Sequence, residues 1–193
     1  MRKKLLFAIL FLITLSEHIF ADTFFKKLIP DHSKIQYAGN IGFFAIGLGY
    51  NFAEIYDLDV MYGYTPGYIG GHHINQLTIK NTIIPKMHFN LGKIRVNPLL
   101  GLHFTYNMRE NRNTWLKLPD RYPGGYYFPT ALHGLLTAGI RVDSEEIKSN
   151  FFENLALYFE LGTVDSYLRS YFISKNIPFY EIWNISLSLR FDF

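Results

Sequence analysis

The sequence predicts an all-β fold, one antiparallel up-and-down transmembrane β-barrel of eight strands. Three observations predict it. A basic, then apolar, N-terminus reads as an export signal. Segment after segment of the remainder alternates apolar and polar residues with a period of two, the mark of strands with two different faces. Aromatic residues make up 18% of the chain, yet no later apolar run is long enough for a membrane-spanning helix. A chain that is rich in aromatics and average in hydropathy suits a barrel with one apolar face toward lipid.

The N-terminus runs Met1-Arg2-Lys3-Lys4, then apolar from Leu5 to Leu15, then Ser16 to Ala21. This order, with a small residue at the end, is that of a signal peptide spanning 1–21. The apolar run is too short to cross a bilayer comfortably as a helix, which argues against a retained anchor. No cysteine follows it, which argues against a lipoprotein. Cleavage after Ala21 leaves residues 22–32 as a periplasmic N-terminal segment and 33–193 as the barrel domain. The leader carries Arg2, Lys3, Lys4 and Glu17, so the net charge of +3 falls to about +1. Such balance argues against a nucleic-acid partner. The absence of cysteine excludes a disulfide scaffold and thiolate metal sites.

Seven strands read directly. In 41–52, Phe44, Ile46, Leu48, Tyr50 and Phe52 oppose Ala45, Gly47, Gly49 and Asn51. In 56–64, Tyr56, Leu58, Val60, Tyr62 and Tyr64 oppose Asp57, Asp59, Met61 and Gly63. The third is taken over 76–89, with an outward series from Leu77 through Pro85 to Met87 and Phe89, interrupted by polar Asn81. Segments 95–107, 132–143 and 155–162 follow the same rule, and the last runs from Trp183 through Ile185, Leu187, Leu189 and Phe191 to Phe193. Tyr, Phe and Trp collect at strand ends, as in interfacial aromatic girdles. Short connections, 53–55 and 90–94, belong on the periplasmic side, and long ones, 109–131 and 167–180, outside. An even count then requires one more strand, for which Ser33–Ala38 is the candidate, turning at Gly39-Asn40.

The closing Phe191-Asp192-Phe193 is similar to the assembly signal of bacterial outer-membrane barrels. With the leader and the alternation, residues 33–193 resemble the small eight-stranded outer-membrane β-barrel proteins of Gram-negative bacteria. The resemblance implies residence in the bacterial outer membrane, contact with its lipid including lipopolysaccharide, and recognition of the last strand by barrel-assembly machinery. These families include structural, adhesive, solute-handling and lipid-A-modifying members, so fold alone does not assign a role.

Polar faces become the interior of such a barrel. Lys80, Lys86, Arg95, Arg141 and Arg190 are placed inward with Asp57, Asp59, Asp143, Glu160 and Asp192. An eight-stranded barrel is just wide enough for side chains to fill it. Charges there are expected to pair and plug the tube, not to line an ion pore. Gly47, Gly49, Gly101, Gly139 and Gly162 fall inward, where larger side chains would not fit.

At the outer rim, His72 and His73 share a loop, His133 opens a strand, and Asp165-Ser166 closes another. These are the parts of a hydrolytic triad, recognised by geometry, not by sequence order. The plainer reading is scattered polar loop residues, and no His-Ser pair on one strand supports the enzyme. Adjacent histidines diverge, so no metal site is expected there, and no cofactor elsewhere. The segment 109–130 combines Arg109, Arg112, Lys117 and Arg121 with Trp115, Tyr126 and Tyr127. That mixture suits lipopolysaccharide phosphates and sugars, or equally a solvated aromatic belt. The expected function is a non-enzymatic barrel with a packed, salt-bridged interior whose outer loops bind envelope or external ligands. The alternative is a lipid-A acyl hydrolase using Ser166, Asp165 and His133 or His72/His73.

Overall fold

Alternation of apolar and polar side chains folds the described residues into nine antiparallel strands, eight of which close on themselves. The computed structural model describes residues 29–71, 73–108, 131–144, 151–173 and 177–193. Residues 1–28, which include the segment expected to be an export signal, His72 and the whole of 109–130 lie outside the described residues. Asp31–Phe193 form one unit and Met1–Pro30 another, of which only Ile29 and Pro30 are described.

The strands are β1 (His32–Ala38), β2 (Phe44–Phe52), β3 (Tyr56–Thr65), β4 (Ile74–Ile83), β5 (Phe89–Leu91), β6 (Ile94–Asn107), β7 (Leu132–Ser144), β8 (Asn154–Val164) and β9 (Asn184–Asp192). Each pairs with its sequence neighbour, β4 pairs β6 past the short β5, and β1 pairs β9 to close an eight-stranded barrel. The first strand, inferred from parity alone, is present one residue earlier than expected. A single helical turn, α1 (Gly67–Gly70), and a longer helix, α2 (Asp165–Ile173), sit in the connections. Within the described residues no helix is long and apolar enough to cross a membrane.

The register gives the barrel its shape. Ile35 is opposite Ile46, which is opposite Tyr62, then Leu77, Tyr106 and Leu132. Carried round at the observed offsets, the line returns to β1 displaced by about ten residues, a stagger that tilts eight strands by roughly 40–45°. A ten-residue strand at that tilt rises about 23–25 Å along the barrel axis.

Two corrections concern the third predicted strand and a predicted loop. The β4 ladder stops at Ile83, so Pro85, Met87 and Phe89 do not continue its outward series. Pro85 lacks the N–H that a further ladder bond needs. Ile84 donates instead to the Ile55 carbonyl at 2.7 Å and turns into the core beside Leu99, Ala156 and Tyr158. Phe89–Leu91 then pairs Ile94–Val96 as a small hairpin beyond the barrel, turned by Gly92 at φ 67°. Pro98 falls where β6 changes partner, between Val96 on β5 and Leu100 on β4. The second correction is 167–180, expected as a loop, where α2 occupies 165–173.

The two faces separate sharply. Outward Leu48, Val60, Ile79, Leu102, Leu136 and Leu161 are each between two-fifths and just over half exposed, whereas inward Lys34, Asp59, Thr78, Lys80 and Glu160 are buried. Aromatics gather at both rims, with Tyr37 edge-on to Phe43 at 5.0 Å near one end and Phe152 to Phe191 at 5.5 Å near the other. Asn81, the polar residue on the apolar face, is satisfied there. It accepts from the Tyr56 hydroxyl at 2.6 Å and donates to the Leu102 carbonyl at 3.0 Å.

Candidate functional site: the filled interior and the loop-end rim

Strand alternation aims polar residues from all eight barrel strands at one narrow space, and packing sorts them into layers. At the end carrying connections 39–43 and 66–73, Ile41, Ala45, Met61 and Leu135 form an apolar plug with Val164 against it. Ile41 reaches the plug because the 39–43 turn folds into the mouth. Gly63 allows this, since a Cβ there would fall on the Ile41 carbonyl oxygen.

Below the plug lies a layer of charge. Asp59 accepts from Lys34 Nζ at 2.6 Å and contacts His32 Nε2 at 2.6 Å, all three side chains fully buried. Lys80 donates to Glu160 at 2.6 Å and to Gln36 Oε1 at 2.9 Å. His103 Nδ1 accepts from the Asn81 amide N–H at 3.1 Å, which leaves the proton on Nε2, 2.9 Å from the Thr137 hydroxyl. Tyr158 crosses the middle, fully buried, with Lys34 Nζ 4.4 Å from its ring centre. Its hydroxyl donates to Asp57 at 3.0 Å, and Asp57 also accepts from Arg190 at 2.7 Å. Arg190 in turn donates to Asp192 at 2.6 Å, and Arg141 donates to Asp143 at 2.7 Å.

Each of the five acidic side chains named as inward thus meets a cation. Two of the five cations named with them do not face the packed interior. Lys86 lies in the segment that leaves β4 after Pro85, and Arg95 lies on the β5–β6 hairpin, so both are exposed. They line the rim of a polar bowl of about 920 Å³ at the end carrying 53–55 and the C-terminus, together with Glu54, Arg141, Asp143 and Asp192. Lys34 and His32, unremarked in the sequence reading, take interior places instead. The signal was available, because Lys34 and Gln36 alternate with outward Ile35 and Tyr37.

Glycines make this packing fit. A Cβ on Gly49 would fall on the Asp59 carboxylate and His32 ring, and one on Gly139 on the Phe159 carbonyl. Gly47, Gly101 and Gly162 likewise have no room to spare.

The rim candidates are partly assembled. His133 Nδ1 lies 3.1 Å from Asp165 Oδ1, although 32 residues separate them in sequence. Asp165 also accepts the Gly134 N–H at 3.0 Å and the Ser166 N–H at 2.6 Å. The carboxylate therefore starts α2 and ties it to β7. Ser166 takes part through its backbone, and its hydroxyl is not joined to His133. His73 stacks on Tyr64 and bonds its hydroxyl at 2.5 Å, away from that pair. His72 is outside the described residues, as are the ligand candidates Arg109, Arg112, Trp115, Lys117, Arg121, Tyr126 and Tyr127. Among the described residues no group of three or more His, Asp and Glu is placed to hold a metal ion.

Comparison with known proteins adds no relative: no family model, curated protein or solved structure matches this chain.

Proposed function

We propose that the protein is a non-enzymatic outer-membrane β-barrel of a Gram-negative bacterium, exported by its N-terminal leader, plugged inside, and meeting envelope or external ligands with its loop end. The observation that carries this reading is the inversion of polarity across one closed sheet. Ionised side chains sit in the interior while Leu, Ile, Val and Phe stand exposed all round the outside. Such an exterior in water would be a very large apolar patch, far beyond the few hundred Å² that soluble monomers tolerate. In a bilayer it matches an apolar band about 25 Å tall between aromatic girdles.

Layered filling supports a plug over a pore. Tyr158 and the Lys34–Asp59 pair are fully buried below the apolar cap of Ile41, Ala45, Met61 and Leu135. Lipopolysaccharide and the barrel-assembly machinery are the proposed partners, the first at the loop end and the second at β9. The test is placement: the protein should co-fractionate with outer membranes, shift its gel mobility when heated, and give no stable channels in planar bilayers. Recovery in the soluble periplasm would refute the membrane reading, and large steady conductance would refute the plug.

One contact favours the alternative, a lipid-A acyl hydrolase. His133 and Asp165 are arranged as the base and orienting acid of a triad. Ser166 would have to turn its hydroxyl to His133 to complete it. Loss of acyl chains from lipid A on expression, abolished in Ser166→Ala, would establish the enzyme. Unchanged lipid A would dismiss it.

A further inference from the structure

The outer surface of the barrel is not uniformly ridged. Along β7 the outward series is Leu132, Gly134, Leu136, Ala138, Ile140 and Val142, so two of its members are small. Register places Ala138 between Leu100 of β6 and Leu161 of β8, both strongly exposed. A short side chain between two long ones leaves a trough. It opens into an external crevice of about 670 Å³, within the roughly 300–1,000 Å³ of ordinary small-molecule sites.

The crevice has a defined chemistry and two defined ends. Its walls are Leu100, Leu102, Phe104, Leu136 and Ala138. At the turn end lie Tyr56 and Asn81, whose polar atoms are spent on each other and on the Leu102 carbonyl. At the loop end stands Trp183. Trp183 begins an aromatic stack that climbs away from the sheet, edge-on to Phe179 at 5.5 Å, which is edge-on to Tyr171 of α2 at 5.6 Å. Phe172, Ile173 and Tyr180 beside this stack are more than two-thirds exposed.

We propose that this crevice seats one acyl chain of a membrane lipid, with the headgroup level marked by Trp183 and the α2 aromatics. This rests on the membrane reading above. Continuity argues for the occupant, because the crevice lies within the exposed apolar band and its walls are aliphatic and aromatic side chains, which suit a hydrocarbon chain better than a sugar or a peptide backbone. Its oblique course from Trp183 toward Tyr56 follows the long axis of a chain, not the width of a ring. Trp and Tyr favour the interface between chain and headgroup, which puts the stack at one end of the site and not along it.

The test uses full-length protein in dioleoylphosphatidylcholine vesicles and native mass spectrometry after release into mild detergent. Wild type should retain one phospholipid per barrel. Ala138→Phe, which fills the trough, should lower that adduct at least tenfold while heat-modifiable mobility confirms a folded barrel. Ala138→Leu should give an intermediate loss, and Ile46→Phe, on the far side, none. Retention of the adduct in Ala138→Phe, or no adduct in wild type, overturns the proposal. Brominated phosphatidylcholine separates this outcome from failure of the membrane reading. In a Trp115→Phe background, a reporter at Leu48→Trp should be quenched whether or not the crevice is used. If neither Trp183 nor that reporter is quenched, the barrel does not face lipid at all.

Discussion

Remove the negative partner of Lys80 and the folded barrel should lose a large part of its stability, whereas removing both partners should lose little. The Lys80 and Glu160 side chains are each only 1% exposed and lie 2.6 Å apart, although 80 residues separate them in sequence. Breaking such a pair strands an uncompensated charge, an effect of about 3–5 kcal/mol. Glu160→Gln should fall near the lower figure, because Lys80 keeps Gln36 Oε1 at 2.9 Å as an acceptor. Lys80→Met should reach the upper one, since the nearby His103 Nε2, at 4.0 Å, belongs to a neutral imidazole and supplies no replacement charge. The double variant Lys80→Met/Glu160→Leu replaces the pair by apolar groups of similar volume and should lie within about 1 kcal/mol of wild type, or above it. Against a total of roughly 5–15 kcal/mol, these differences move a denaturation midpoint far enough to measure. Urea titration in detergent micelles, followed by Trp fluorescence and by gel mobility, supplies the numbers. Single variants within about 0.5 kcal/mol of wild type, or a double variant whose loss equals the sum of the singles, would refute the claim that the pair is buried and coupled.

Four further outcomes follow from the same geometry. Gly139→Ala should destabilise by about 3 kcal/mol or more, because its methyl meets the Phe159 backbone oxygen, while Gly92→Ala, in open space at φ 67°, should lose only about 1–2 kcal/mol, both read by denaturant melts. Asp165→Ala should weaken the start of α2 by roughly 1 kcal/mol, seen as faster amide exchange in 165–173 with the strands unchanged. Arg141→Ala should lower stability through Asp143 yet open no conductance, because Tyr158 and the Lys34–Asp59 pair still block the axis. Deleting Phe193 should reduce the amount of protein assembled in cells far more than the melting temperature of what assembles; normal assembly after removing both Phe191 and Phe193 would make this tail ordinary sequence.

Strand alternation made most of the sheet readable, because a period of two is a local property that needs no knowledge of neighbours. It fails where a strand ends for another reason. Apolar residues continue through Pro85, Met87 and Phe89 with the right spacing, and only the missing N–H of Pro85 and the turn of Ile84 into the core stop the ladder. Inward placement was legible for Asp57, Asp59, Lys80, Glu160 and Arg190, whose strands are long and regular. Arg95 shares their parity but stands on the part of β6 that overshoots the barrel, and parity carries no information on where a strand leaves the closed sheet. The pairing of His133 with Asp165 depends on a connection between β7 and β8 and on α2, so no spacing rule could have found it. Asp165-Ser166 held a signal of another kind: an acid followed by Tyr167, Leu168, Tyr171 and Phe172 is a helix start as well as part of a possible triad.

The buried charges also bear on why this sequence would choose one register. Shifting one strand by a single residue exchanges its two faces. For β3 that slip would carry Asp57 and Asp59 outward and Leu58 and Val60 inward, breaking contacts to Arg190, Lys34 and His32 at once. In the proposed membrane setting the displaced carboxylates would face hydrocarbon, where each charge costs several kcal/mol more. A two-residue slip restores the faces but moves Asp59 about 7 Å from Lys34 along the strand, and takes away from Gly49 the Asp59 carboxylate for which, with the His32 ring, it makes room. Apolar contacts outside cannot impose this choice, because lipid adapts to any arrangement of Leu and Ile. The pairs that join different strands, Lys34–Asp59, Lys80–Glu160 and Asp57–Arg190, can. On this argument Asp59→Asn should do more than lower stability: it should widen the set of β2–β3 registers populated, visible as extra disulfide cross-links in cysteine pairs placed one step out of the native alignment of Leu48 with Val60.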